Sequence, residues 1–279
     1  MPGTARLRIT RPLPTLDAWV NAFASAEIPV LAETAAEINS LRELEDDVDA
    51  HQLTGLVTSD PLMSLKVLAF AGELRRGRLT NDTETVTAAL VLMGISPFFR
   101  NFSDQPTLEE RLADNEEALL GLSRVLQRAE RASRFALSFA AHRADPDAAV
   151  ITGAALLHDF AEMLLWVHAP DLALEIARRQ EADSTLRSAV AQREVLGIEL
   201  HELEQALMRR WHLPALLMRI TDDKHARDNK VRCVYLAVRL ARHLAHGWDN
   251  AALPDDLNDI AELLNLNPAH TLKLLHEFD

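Results

Sequence analysis

Val150 to Trp166 reads VITGAALLHDFAEMLLW, an apolar helical run that carries His158 and Asp159 side by side and then continues apolar. Adjacent residues on an α-helix lie about 100° apart, so both side chains can lean toward one point beside the axis. A neutral imidazole next to a carboxylate suits a divalent metal such as Zn, Mn or Fe. The same pair also fits a structural role, with Asp159 bonded to His158 or to a neighbouring helix. The run by itself leaves both readings open.

The composition around it points to helices. The chain has 279 residues, enough for one large domain or two small ones with a buried core. Hydrophobic residues make up 48% and charged residues 25%, an ordinary globular balance rather than a disordered one. With only 9 Gly and 1 Tyr beside abundant Leu, Ala, Glu and Arg, the expected fold class is all-α. The formal charge is −13, from 29 basic and 42 acidic residues, so phosphate backbones are repelled and nucleic acid is not an expected partner. Cys233, the single cysteine, lies in the apolar run CVYLAVRL and reads as buried packing; no disulfide within the chain and no cysteine cluster can form. The N-terminal MPGTARLRITRPLPT has arginines but no apolar core behind them, unlike a secretory signal. The longest apolar stretch, Ala88 to Phe99, is broken by Gly94 and Pro97, and no run of about 18 apolar residues is expected to cross a membrane. A soluble, cytoplasmic protein is the expectation.

Upstream of the central run, Thr15 is placed to cap a first helix, and Ile28 to Ser40 gives a second, with Val30, Leu31, Ala35 and Ile38 at helical spacing. Glu43 to Asp49 is an acidic solvated face or loop; Leu53, Leu56 and Val57 form a short apolar face. Asp60-Pro61 starts a helix that is expected to stop near Gly72. Asn81-Asp82-Thr83 caps another, with Val86, Leu90 and Met93 on one face and Gly94 at its end. Ser103 to Pro106 is the internal boundary, giving an N-terminal helical subdomain over 1–104 and a helical bundle over 105–279. Beyond it come a charged helix to about Leu119, a long amphipathic one over Leu122 to His142, and the Asp145-Pro146-Asp147 cap of the central run. Further helices follow over 170–180, 185–197, 200–211, 215–225 and 231–246, and after Pro254 and Pro268. No fixed 34- or 40-residue period is present, which argues against a solenoid.

Three segments, in this order, resemble the HDOD family, helical relatives of the HD-type metal phosphohydrolases. Leu13-Pro14, Asp60-Pro61-Leu62 and Ala88 to Gly94 match its upstream pieces. Ala155 to Phe160, ALLHDF, is similar to its "LLHDIG" core. Glu194 to Leu203, followed by Trp211-His212-Leu213-Pro214, is similar to its glutamate, glycine, histidine and W-x-L-P pattern. The resemblance spans roughly residues 12 to 250. It implies an N-terminal helical subdomain packed on an HD-like bundle, and a bacterial signalling or regulatory role.

A catalytic HD site needs imidazoles and carboxylates from several helices, closing on metal with one water position open. By the resemblance, His158 and Asp159 are in place, His201 stands where a further ligand belongs, and His225 where a paired histidine is found. Arg128 aligns with the histidine of the preceding helix, and Val238 with the last aspartate. A guanidinium stays charged and has no lone pair to give, and valine has no donor atom at all. Where active cyclic-dinucleotide phosphodiesterases carry a lysine within a turn of the HD pair, this chain has Phe160-Ala161-Glu162, and Glu162 at i+4 is placed to bond His158. Arg128 could pair with Asp159, replacing a metal by a salt bridge. Plainer readings stand beside these: His201 with Glu202 and Glu204 as a solvated helix face, His225 at an exposed helix end, Trp211 as a packing anchor.

The expectation is a vestigial HD pocket made of Arg128, His158, Asp159, Glu162, His201, His225 and Val238. It holds no catalytic group and no metal, and serves to bind a signalling partner protein or a small ligand. The alternative is a metal-dependent phosphohydrolase acting on a nucleotide or cyclic dinucleotide. In that case His158, Asp159, His201 and His225 hold a Mn, Fe or Zn ion that lowers the pKa of a bound water. A purely structural helical scaffold is the third reading. The oligomeric state is not legible in one sequence, because packing faces and dimer faces look alike.

Overall fold

The computed structural model describes residues 7–75, 84–183, 185–225, 227–245 and 247–279. Among the described residues the fold is all-α: seventeen helices, α1 to α17, with two short 3-10 turns and no strand beyond one isolated bridge between Val30 and Thr107. The chain forms two compact units interleaved in sequence. One gathers the N-terminal helices with Val86–Val125 and Asp159–Leu213; the other is built on Leu126–His158 and Pro214–Asp279. The expected boundary at Ser103 to Pro106 therefore lies inside the first unit.

In the first unit, α1 (Leu16–Ser25) starts at Thr15, whose hydroxyl accepts from the Ala18 N–H at 3.1 Å. Its Trp19 and Phe23 are fully buried, and the Trp19 indole donates to the Leu196 carbonyl at 3.3 Å. α2 (Ala32–Arg42) begins later than the spacing of Val30 and Leu31 predicts, because Val30 is extended and pairs with the Pro106–Leu108 backbone. α3 (Ala50–Thr58) buries Leu53, Leu56 and Val57, as expected. The acidic run ahead of it is closed by an Asp49–Gln52 capping box.

α4 (Pro61–Arg75) runs past Gly72, where the sequence predicts a stop. This glycine is a contact residue rather than a terminator: a Cβ there would lie 2.3 Å from the Trp211 carbonyl oxygen. α5 (Val86–Met93) buries Val86, Leu90 and Met93 on one face, and Gly94, at φ 82°, turns the chain into α6 (Ile95–Phe102). The cap expected at Asn81-Asp82-Thr83 lies outside the described residues. A short α7 (Leu108–Arg111) follows, then α8 (Glu116–His142), a 27-residue helix that starts six positions before the expected Leu122. The signal for that start is Asn115, which accepts from the Ala118 N–H at 3.0 Å ahead of two first-turn glutamates.

The central run is two helices rather than one. α9 (Ala148–Leu157) ends at His158, and α10 (Phe160–His168) begins after Asp159, whose φ of −110° and ψ of 22° break the helical path. The Ala148–His168 stretch also corrects the expectation about apolar runs. It has the length and mean hydropathy (1.5) of a membrane span, but 72% of its most apolar window is buried within the protein, the burial of a core segment. The first unit is completed by α11 (Pro170–Ala182), α12 (Ser188–Leu196) and α13 (Leu200–Arg210), with α10 packed against α4, α11 and α13.

In the second unit α9 packs on α14 (Ala215–Ile220) and α15 (Asn229–Leu244), and α15 packs on α16 (Leu253–Leu264), which carries α17 (Pro268–Phe278). The later part of α8 contributes Phe135 and Phe139, both fully buried with near-parallel rings 6.5 Å apart. Its Arg131 and Arg143 donate to the carbonyls of Leu244 and Leu263 at the ends of α15 and α16, the first of which also accepts from the Gly247 N–H. Asp256 is buried on α16 and is compensated from α15 by Arg239 at 2.7 Å and His243 at 2.5 Å. Cys233 is fully buried, and burial pushes its thiol up to about 11, as a packing residue would be.

Candidate functional site

The seven residues of the expected pocket are divided between the units. Arg128, His158, His225 and Val238 belong to the second, and Asp159, Glu162 and His201 to the first.

In the second unit, His158 closes α9, and its side chain is 8% exposed. Its Nε2 lies 3.4 Å from Oδ1 of Asp223, in the 3-10 turn Asp223–His225. That turn packs against α14 and α15. His158 is thus met by the turn that carries His225, but through the aspartate two residues earlier. His225 itself is 58% exposed and pairs with Asp222 at 3.5 Å, the exposed-end arrangement named above as the plainer reading. Val238 is buried within the apolar face of α15 and brings no donor atom; Arg128 is half-buried on α8.

In the first unit, Asp159 and Glu162 open α10, and His201 stands in the first turn of α13, which packs on α10. Glu162 stands in the first turn of α10, past the break at residues 158–159. The solvated-face reading of α13 also needs correction. Glu202 is exposed, but Glu204 and Gln205 are buried at 3% and 9% exposure. Among the described residues, no group of three or more His, Cys, Asp or Glu side chains is arranged to hold a metal ion.

Three polar positions that the sequence did not single out are set apart by the structure: Asp223 meets His158, and Glu204 and Gln205 are buried on α13. Asp223 had a signal, the acidic pair directly before Lys224-His225. Glu204 and Gln205 had none, because a charged helix face looks the same whether solvent or protein covers it.

Three further buried titratable groups of the first unit serve the fold. Asp60 is fully buried and accepts from the N–H groups of Leu31, Leu62 and Met63 at 2.8, 2.9 and 3.1 Å. Burial raises its pKa while those bonds pull it back. Lys66 donates to the Ile28 carbonyl at 2.8 Å and to Gln105, and burial lowers its pKa to about 8 against the pull of Glu27 and Asp60. His168 is 1% exposed, with its ring tilted on Phe23 at 5.5 Å. Burial and the Arg111 guanidinium push its pKa down to about 3, with the Leu7 carbonyl pulling the other way.

The family model of the HDOD domain matches residues 28–227. Among solved structures, the MmoQ response regulator of Methylococcus capsulatus is similar at a TM-score of 0.70 and 21% identity, over 90% of this chain and 99% of that one. A virulence factor of Campylobacter jejuni is similar at 0.63 and 17% identity, over 94% and 97%. An HDOD domain protein of unknown function from Geobacter sulfurreducens is similar at 0.50 and 14% identity, over 94% and 93%. No curated protein matches the sequence. These likenesses speak to the fold.

Proposed function

The chain belongs to the HDOD domain family, and from that premise we propose that it is a signal-transduction module that works by binding rather than by hydrolysis. One observation carries the reading. Val238, which the family resemblance aligns with an active relative's last carboxylate ligand, is buried in the α15 core, and a hydrocarbon side chain cannot coordinate. Arg128 supports it as a fixed cation at the place of a ligand imidazole. The solved relative called a response regulator supports the signalling half of the proposal. The module is proposed to act in the cytoplasm on a partner protein or a small ligand, read through the surroundings of His158 and Asp223. The acidic surface favours a basic patch on a protein partner over nucleic acid.

The test is a phosphohydrolase assay on the full chain with added Mn, Fe or Zn, using bis(p-nitrophenyl) phosphate and a cyclic dinucleotide. The expected result is no turnover above buffer and metal alone. Turnover that disappears in His158→Ala would replace this proposal with the enzyme reading.

A further inference from the structure

The last helix, α17, is weakly built and firmly tethered. Of its 11 residues only Thr271 and Leu275 are buried, while Leu272 and Phe278 remain 36% and 37% exposed. α15, by contrast, buries nine of its 16 residues. What apolar burial does not supply to α17, the residue after it does. Asp279 Oδ1 accepts from Arg131 Nε at 2.6 Å, and Oδ2 accepts from the Trp248 indole at 3.0 Å. Its backbone oxygen accepts from Arg134 at 3.4 Å. Each side-chain oxygen thus has its own donor, one charged and one neutral.

Both arginines of the receptor side have a further partner besides the occupant. Arg131 is held by the Leu244 carbonyl at 3.1 Å and Arg134 by Glu130 at 3.3 Å. His276 lies on the Trp248 ring at 4.0 Å, so the occupying segment also covers the face of the indole. Asp279 is only 15% exposed in its side chain and Arg131 31%, so the pair is partly desolvated and more specific than a surface contact. α15, α16 and α17 all lie beyond residues 28–227, the part matched by the family.

We propose that Arg131, Arg134 and Trp248 form a carboxylate-reading receptor that α17 occupies from within the chain. Its external ligand is an amphipathic helix of a partner protein that presents one carboxylate to the seat, which it takes by displacing α17. The seated segment defines that ligand: a leucine for the apolar socket of Leu275, a flat ring over Trp248 and a carboxylate four residues after the leucine. α17 is then a latch. Occupancy of the receptor by its own helix lowers the apparent affinity for a partner by the fraction of molecules in which the seat is open.

The experiment uses the full chain and a fluorescent peptide of residues 267–279 as probe. Asp279→Asn, at a partly solvent-facing position, is expected to raise amide hydrogen exchange across α17 at least tenfold while α15 and α16 keep their rates. The probe is expected to bind Asp279→Asn at least tenfold more tightly than wild type. Arg131→Gln in the Asp279→Asn background should abolish that binding. Trp248→Phe, which keeps the ring and removes the N–H, should weaken it, and guards against misfolding of the arginine variant. Unchanged α17 exchange in Asp279→Asn would overturn the proposal. So would equal or absent probe binding in the two chains, or binding that survives both receptor variants.

Discussion

His168 and His158 are both buried imidazoles, and they close the two halves of one apolar run, α10 and α9. His168 is pressed on Phe23 with a guanidinium nearby, and these surroundings hold it neutral far below the usual histidine range. His158 instead faces Asp223, a carboxylate 39% exposed on a short turn, so water and ligands reach the group that touches it. Burial alone therefore does not mark a functional histidine. The surroundings differ: apolar, cationic ones hold His168 neutral and packed, while the proposed recognition role rests on the solvent-reached carboxylate beside His158.

The largest test of this contrast is acid stability. The folded protein takes a proton on His168 only near pH 3, while the unfolded chain takes one near the ordinary value of 6.5. Between these values the unfolded state binds more protons, so stability is fully present above 6.5 and falls as pH drops, by about 1.4 kcal/mol per pH unit and up to about 4–5 kcal/mol in all. Urea midpoints at pH 7, 5.5 and 4.5 should show this slope in the wild type and its loss in His168→Leu. Equal slopes would remove His168 as the cause.

Next comes Asp60→Ala, which withdraws the acceptor from three buried backbone N–H groups of the first unit. A loss of about 3 kcal/mol is expected in denaturant unfolding. Gly121→Ala should cost about 1–2 kcal/mol despite the better helix propensity of alanine, because its Cβ would meet the Trp166 ring at 2.4 Å. A stabilised variant would mean that Trp166 repacks freely. The smallest effect belongs to the His158 side. Asp223→Asn, at a partly exposed position, should move the unfolding free energy by less than about 0.5 kcal/mol. A large loss there would make the His158–Asp223 pair a structural element like Asp60.

Much of the fold was legible because the deciding signals are local. Thr15 caps α1, Asp60-Pro61 opens α4, and the apolar faces of α3 and α5 are buried as their spacing says. The misses come from groups whose meaning depends on distant chain. Gly72 reads as a stop until the Trp211 backbone is seen beside it. The break at His158-Asp159 carries neither Gly nor Pro, and the apolar pattern runs straight across it. The family resemblance names the candidate site's residues, Arg128 and Val238 among them. The acidic pair before Lys224-His225 marks Asp223, but its meeting with His158 could not be read, because residues 65 apart in sequence are joined only by the packing of the second unit.

The central claim is that an HD-derived pocket here serves recognition rather than metal chemistry. Elemental analysis of the purified full chain, beside His158→Ala, tests it most directly. The account predicts no stoichiometric Mn, Fe, Ni or Zn in the wild type and the same metal content in the variant. One metal ion per chain, lost with His158, would contradict it.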